Sequence, residues 1–151
     1  MAKRERFTLS LSVFLLLIEN GNILLIKRSN TGWMDGYYSV PAGALDGKEN
    51  LIQAVIREAK EEVNIKVAKK DVKLVHTMHV VTHGEEWIGA FFIASKWKGK
   101  LRVNEPEKHS EIKWVSLDEL PKNIIPYVKQ ACGAYKNNKM YSDYGWPNHR
   151  T

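Results

Sequence analysis

A single cysteine, Cys132, is all the thiol chemistry in this 151-residue chain, so an internal disulfide is excluded. It lies in the helix-like stretch 124–136, where a small apolar packing residue is the expected role. No Cys/His pairs stand at zinc-binding spacing, which excludes a structural zinc centre. A reducing compartment suits such a chain, and a cytoplasmic location is expected. Long apolar runs are also missing. The stretch Phe7 to Ile18 is interrupted by Thr8, Ser10 and Ser12 and is too short to cross a bilayer. Its basic lead-in, Lys3-Arg4-Glu5-Arg6, has the look of a signal peptide, but polarity at every second position is strand-like. Glu19-Asn20-Gly21-Asn22 offers no small-residue cleavage site either. No membrane partner is expected. Acidic residues are in deficit, 17 against 23 Lys and Arg, and the resulting net charge of +6 favours polyanionic partners. Lys96, Lys98, Lys100 and Arg102 alternate around Trp97, so an extended ribbon would carry four cations on one face. Such a face is either a lysine-guarded edge strand or a polyanion contact.

What is present reads as one α/β domain over residues 1–151, without repeats or linkers. Residues 7–19 and 23–28 are apolar runs joined through Asn20-Gly21, the dipeptide of a type I′ hairpin. Residues 30–43 hold Gly32, Gly36, Pro41 and Gly43 among Trp33, Tyr37 and Tyr38, the composition of a structured loop. Asn50 caps a helix over 51–63, with Gln53 placed to complete a capping box. Strand-like runs follow at 65–68, 72–82, 87–97 and 111–117, then a helix over 124–136. The polar and aromatic tail, 137–151, is expected to be loosely held.

On the helix over 51–63, Glu58, Glu61 and Glu62 fall within an arc of about 100°, beside a stripe of Ile52, Val55, Ile56, Ala59 and Val63. Like charges at this spacing cost a helix roughly 0.2–0.5 kcal/mol per pair, which a bound cation would offset. A solvated acidic face is the commoner meaning of such a cluster. Here the glutamates sit in a longer frame: Gly43, five residues, Glu49, seven residues, then Arg57-Glu58-Ala59-Lys60-Glu61-Glu62-Val63-Asn64-Ile65. This frame resembles the Nudix box, and the chain resembles the Nudix hydrolases of the MutT type. Ala59 stands where the family carries a larger aliphatic residue. Asn64 stands where it carries a helix-ending glycine, and asparagine is the next most tolerant residue of a left-handed conformation. Residues 38–43 and 114–121 also resemble segments flanking the box, which extends the likeness over roughly residues 7–131.

The resemblance implies a Nudix fold, a mixed β-sheet sandwiched between α-helices. It implies hydrolysis of a diphosphate linkage with Mg2+, for which Mn2+ can substitute. Glu58, Glu62, Glu61 and the Ala42 carbonyl are the implied metal ligands. Arg57 would orient the glutamates, and Gly43 and Glu49 would shape the box. The general base is open between Glu61 and a loop carboxylate, Glu107. Arg28, Tyr38 and Asn104 are the implied substrate contacts, and Trp33, Trp87, Phe91 and Trp114 are further rings able to stack on a base. ADP-ribose hydrolases of the family often carry a proline some fifteen residues past the box, and dinucleoside polyphosphate hydrolases a tyrosine. Val80, Val81, Thr82 and His83 stand there instead, which favours a nucleoside triphosphate, ordinary or oxidised, cut to monophosphate and pyrophosphate. ADP-ribose or another nucleoside diphosphate derivative is the alternative. A nucleotide- or nucleic-acid-binding module on the same scaffold is the second. The expected partner is a small nucleotide, nucleic acid is disfavoured, and a homodimer is allowed.

Overall fold

The computed structural model describes residues 2–147. Strands β1 (Ser10–Glu19) and β2 (Asn22–Arg28) form the expected hairpin. Asn20 and Gly21 have φ of 52° and 76°, the two left-handed positions that a type I′ turn needs. The alternation of polar residues ends at Ser12, because both faces of the sheet are covered beyond it and Val13 through Leu17 are all buried. Val13, Leu15 and Leu17 face one helix, α1 (Leu51–Val63), together with Leu24 and Ile26. Phe14 and Leu16 face the other, α2 (Pro126–Lys136), together with Ile23 and Leu25. Each such buried aliphatic side chain stabilises the fold by about 1.5–3 kcal/mol relative to exposure.

The remaining strands are β3 (Tyr38–Ser39), β4 (Ala42–Ala44), β5 (Lys73–Thr82), β6 (Glu85–Ala94), β7 (His109–Ser116) and β8 (Tyr141–Tyr144). Their order is β3-β2-β1-β6-β5-β8, with β4 on β1 and β7 on β2. The β1–β6 and β5–β8 pairs are parallel and the others antiparallel, so the sheet is mixed and lies between the two helices, as the Nudix fold requires.

Three expectations need correction. Residues 65–68 form no strand; a single bridge joins Lys66 to Lys98, and a 3-10 turn at Lys69–Asp71 follows. The ribbon 96–102 is likewise not a strand, because Trp97 turns inward to pack on the α1-side core. The tail is not loose over its described part, since β8 extends the sheet edge along β5. Buried His76 secures it. Its Nδ1–H donates to the Lys139 carbonyl at 2.7 Å, which leaves Nε2 to accept from the Ser142 hydroxyl at 2.7 Å. Gln130 donates to the same hydroxyl oxygen at 3.0 Å, and the Trp146 indole to the His79 carbonyl at 3.0 Å. Residues 148–151 of that tail lie outside the described residues.

Candidate active site

The site begins with the capping of α1. Asn50 Oδ1 accepts the Gln53 N–H at 2.8 Å, and Gln53 Oε1 accepts the Asn50 N–H at 2.9 Å, the reciprocal arrangement that fixes where a helix starts. That start sets the phase of everything after it. Ala54, Val55, Ala59 and Val63 are fully buried, and Glu58 and Glu62 lie beside them with only 8% and 9% of their surface exposed. Strand β4 closes over both. The Ala42 N–H donates to Glu62 Oε2 at 3.1 Å, so the Ala42 backbone lies against that carboxylate. Gly43 faces Glu58 so closely that a Cβ there would stand 2.1 Å from Glu58 Oε1.

Arg57 ties the carboxylates to the loop. Its Nε and Nη2 donate to the two oxygens of Glu49 at 3.0 and 2.8 Å, a bidentate pair that holds the Glu49 carboxyl below its ordinary range. Its Nη1 reaches Glu58 Oε1 at 2.7 Å and Glu61 Oε2 at 3.3 Å. The same carboxylates push the Arg57 guanidinium further toward permanent charge, Glu49 most of all.

One guanidinium does not neutralise this cluster. Burial raises the Glu62 carboxyl well above the ordinary range, and the Glu58 charge adds to the effect, against the Ala42 N–H and the Lys108 charge. Burial also raises Glu58 in spite of Arg57. Two buried carboxylates short of positive charge make a hard-oxygen donor set without sulfur or imidazole, which fits Mg2+ or Mn2+. No three His, Cys, Asp or Glu side chains converge on one point among the described residues. Glu58 and Glu62 would hold such a cation, with the expected ligands Glu61 and the Ala42 carbonyl nearby and water completing the shell, as Mg2+ prefers.

Beyond α1 the chain returns along the helix end. Asn64 adopts the left-handed conformation expected of it, with φ 63° and ψ 35°. Asn104 has a different place from the one the sequence suggests: its amide donates to the carbonyls of Lys60 and Glu61 at 3.2 and 3.0 Å, capping the helix. Glu107, the loop carboxylate expected as an alternative base, is exposed. Glu105 on the same loop adds its charge to the raising of both Glu58 and Glu62. Glu105 also accepts the His109 N–H at its carbonyl, 3.0 Å, which holds the turn. No local pattern separates Glu105 from Glu107, since only the path of the turn decides which one faces the helix.

The expected substrate contacts are already engaged with protein groups. Arg28 Nε donates to the Trp33 carbonyl and Nη2 to the Thr31 hydroxyl, both at 2.9 Å, and its guanidinium lies 4.8 Å from the Trp33 ring. The Tyr38 hydroxyl donates to Glu111, which raises its pKa to about 12, and Lys27 and Lys113 flank its ring. Phe91 is core. Trp33 and Trp87, both partly exposed, meet Tyr127 at ring-centroid distances of 6.5 and 5.2 Å, and Phe14, the register partner of Ala42, completes this wall. Tyr127 was missed; Pro126 at the first helical position is the signal that places it in the first turn of α2. His109 was also missed. It is buried, its imidazole is held toward the neutral form by burial and by Arg28, and its Nδ1 has no hydrogen-bond partner among the described residues.

A mixed sheet lies between two helices, and the buried glutamates of one helix are closed over by a glycine-bearing strand. The family model of the NUDIX domain matches residues 8–132, and the chain belongs to the Nudix family. A MutT NUDIX hydrolase from Burkholderia pseudomallei, solved by crystallography, superposes with a TM-score of 0.77 and 28% identity, covering 84% of this chain and 98% of that one. An ADP-ribose pyrophosphatase of Methanocaldococcus jannaschii is 31% identical over 75% of this chain and 66% of its own length. An RNA pyrophosphohydrolase of Erythrobacter litoralis is 24% identical over 63% of this chain and 68% of its own length. The match thus spans about two thirds of these curated relatives. No helix among the described residues is long and apolar enough to cross a membrane.

Proposed function

We propose that the protein is a divalent-cation-dependent pyrophosphohydrolase that cuts a nucleoside triphosphate, ordinary or oxidised, to nucleoside monophosphate and pyrophosphate. The observation that carries this reading is the pair Glu58 and Glu62, buried against Ala42 and Gly43 with less positive charge than two carboxylates need. A bound Mg2+ or Mn2+ supplies neutralisation of the diphosphate oxygens and a water of lowered pKa. The chain's own residues do the rest. Glu58 and Glu62 would hold the ion, while Arg57 fixes the orientation of Glu58 and Glu49 fixes Arg57. The water oxygen bonds to an inner phosphorus as the bridging P–O bond breaks, and its proton passes to a carboxylate. Glu61, about half exposed and held only at one oxygen by Arg57, is the first candidate acceptor, with the loop carboxylates Glu107 and Glu105 the alternatives. Trp33 and Trp87, backed by the buried Tyr127 ring, offer faces on which a base can stack.

A second reading, hydrolysis of ADP-ribose or a similar nucleoside diphosphate derivative, is supported by the likeness to the Methanocaldococcus enzyme. One panel separates them: nucleoside triphosphates and diphosphate derivatives incubated with and without Mg2+ in isotopically labelled water, with products read by mass spectrometry. Monophosphate and pyrophosphate from a triphosphate, dependent on the metal, are expected. Release of orthophosphate and nucleoside diphosphate as main products would refute the mechanism. Turnover of ADP-ribose alone would move the assignment to the second reading.

A further inference from the structure

Strand β8 has no role in the chemistry above, and it lies wholly outside residues 8–132, the extent of the matched domain. The fold nevertheless brings it to the aromatic side of the site. Along β8 the exposed Tyr141 and Asp143 alternate with the partly buried Ser142 and Tyr144, so the latter two share the face turned toward α2. Ser142 meets Gln130 of α2 there. Tyr144 meets Tyr127, in the first turn of the same helix.

Register fixes where Tyr144 stands. Val80 of β5 is paired with Trp87 of β6 on one side and with Tyr144 of β8 on the other, so the three form one row across the sheet. Two strand spacings put Trp87 and Tyr144 about 10 Å apart, with the fully buried Val80 between them. Tyr127 reaches both flanking rings, at 81° and 5.2 Å to Trp87 and at 76° and 5.9 Å to Tyr144. Trp33 lies nearly parallel to the same ring, at 15° and 6.5 Å. Tyr127 is thus held by rings from three elements: the loop after β2, β6 and β8. Among the described residues it is the one ring that packs on both Trp33 and Trp87. Anchors on either side hold β8 in this register. Before it, buried His76 binds the Lys139 carbonyl. After it, Gly145 approaches β5 so closely that a Cβ there would stand 2.0 Å from the Val81 carbonyl oxygen, and the Trp146 indole donates to the His79 carbonyl. Without the Tyr144 ring, Tyr127 would lose its support on the side away from Trp87 and could tilt into the space, taking Trp33 with it.

We infer that β8 is a specificity element of the site and that Tyr144 is a positioning residue for the base: it braces Tyr127, which in turn sets the Trp33 and Trp87 faces. This rests on the base-stacking reading proposed above, and not on the metal or the hydrolytic step. It follows that Tyr144 acts on affinity for the base-bearing half of the substrate and leaves the phosphate half alone.

The test uses the two halves of the substrate separately. The full chain is titrated in Mg2+ with adenosine, guanosine, cytidine and uridine 5′-monophosphates and, in parallel, with inorganic pyrophosphate. Indole N–H signals in proton–nitrogen NMR spectra show where each ligand acts. Trp97 and Trp114, stacked on each other at the α1-side core, serve as the internal control. In the wild type at least one monophosphate should shift Trp33 and Trp87 and leave Trp97 and Trp114 unmoved. Tyr144→Ala should bind that monophosphate at least about fivefold more weakly, with pyrophosphate affinity within about twofold of wild type. Tyr144→Phe keeps the ring and should stay within about twofold for both ligands. Gly145→Ala keeps the Tyr144 ring but sets a Cβ against the Val81 carbonyl, and should weaken the monophosphate in the same direction. In turnover of a triphosphate, Tyr144→Ala should raise KM with kcat little changed. Equal monophosphate affinity in wild type and Tyr144→Ala would overturn the inference and leave base stacking intact. An equal loss of pyrophosphate, or a Tyr144→Phe variant as weak as Tyr144→Ala, would also overturn it, since the effect would then be general damage or belong to the hydroxyl. If no monophosphate moves Trp33 or Trp87, the stacking reading fails and the inference with it. If no triphosphate is hydrolysed, the catalytic reading alone fails, because the titrations need no turnover.

Discussion

Gly43 and Glu58 are in contact across the site: a Cβ on Gly43 would stand 2.1 Å from Glu58 Oε1 and 2.3 Å from its Cδ. The backbone of Gly43 does not need a left-handed conformation, so the requirement for glycine is one of space. Gly43→Ala should therefore displace the Glu58 carboxylate from Arg57 and from the proposed ion, while leaving the core untouched. A fall in kcat of at least about tenfold is expected with the melting temperature within a few degrees of wild type. Full activity in the alanine variant would show that the Glu58 carboxylate can act from another rotamer.

Glu62→Gln should lower turnover at least about a hundredfold, since it removes a charge proposed to hold the ion. Glu58→Gln should act in the same direction. In the absence of metal, Glu62→Gln should melt no lower than wild type, because a neutral amide escapes the desolvation that raises the Glu62 carboxyl. Near-normal turnover of the variant with saturating Mg2+ would remove Glu62 from the mechanism.

The pH dependence of stability follows from the direction of the same shifts. A carboxyl raised in the folded state holds its proton more tightly folded than unfolded. Its contribution is full below the ordinary carboxylate range and is lost as pH rises through the folded value. In chelator, the wild type should therefore carry an unrelieved cost at neutral and higher pH, and Mg2+ should raise the melting temperature most where both glutamates are ionised. His109 has the opposite sense, since its depressed value removes stability only as pH falls through the ordinary histidine range. Melting curves above about pH 7, with chelator or Mg2+, isolate the glutamates. A melting temperature indifferent to Mg2+ throughout would contradict a metal site at this pair.

Asn104 discriminates a helix cap from a substrate contact. If its amide serves the Lys60 and Glu61 carbonyls, Asn104→Ala should cost about 1 kcal/mol of stability with KM unchanged. Asn104→Asp should cost more, because a carboxylate there opposes the negative end of the helix. Denaturant titration and steady-state kinetics decide it: a raised KM with unaltered stability would return Asn104 to the binding site.

Asn64→Gly tests the left-handed helix end. Glycine relieves the strain of φ 63° but loses the side-chain bond to the Lys100 carbonyl, so the two effects nearly cancel, within about 1 kcal/mol. A larger change, measured by denaturant titration, would show that one of these terms dominates.

The sequence by itself determined what depends on neighbours along the chain. The bounds of α1, its Asn50–Gln53 capping box, the Asn20-Gly21 turn and the left-handed Asn64 are all set within a few residues by backbone preference and local hydrogen bonds. The grouping of Glu58, Glu61 and Glu62 on one helical face needs only the 3.6-residue period. Tertiary structure decided whatever depends on what arrives from elsewhere. Glu58 and Glu62 are buried and Glu61 is not because β4 closes over only part of that face. Glu105 adds its charge to the pair, and Asn104 donates to helix-end carbonyls, because the loop after Trp97 folds back along the end of α1. The tail gains β8 because His76, buried on β5, needs partners for both ring nitrogens and finds them at Lys139 and Ser142, more than sixty residues away. Periodicity reports which face of an element is apolar. Which polar groups meet across elements is fixed only when buried donors and acceptors must be satisfied in the packed chain.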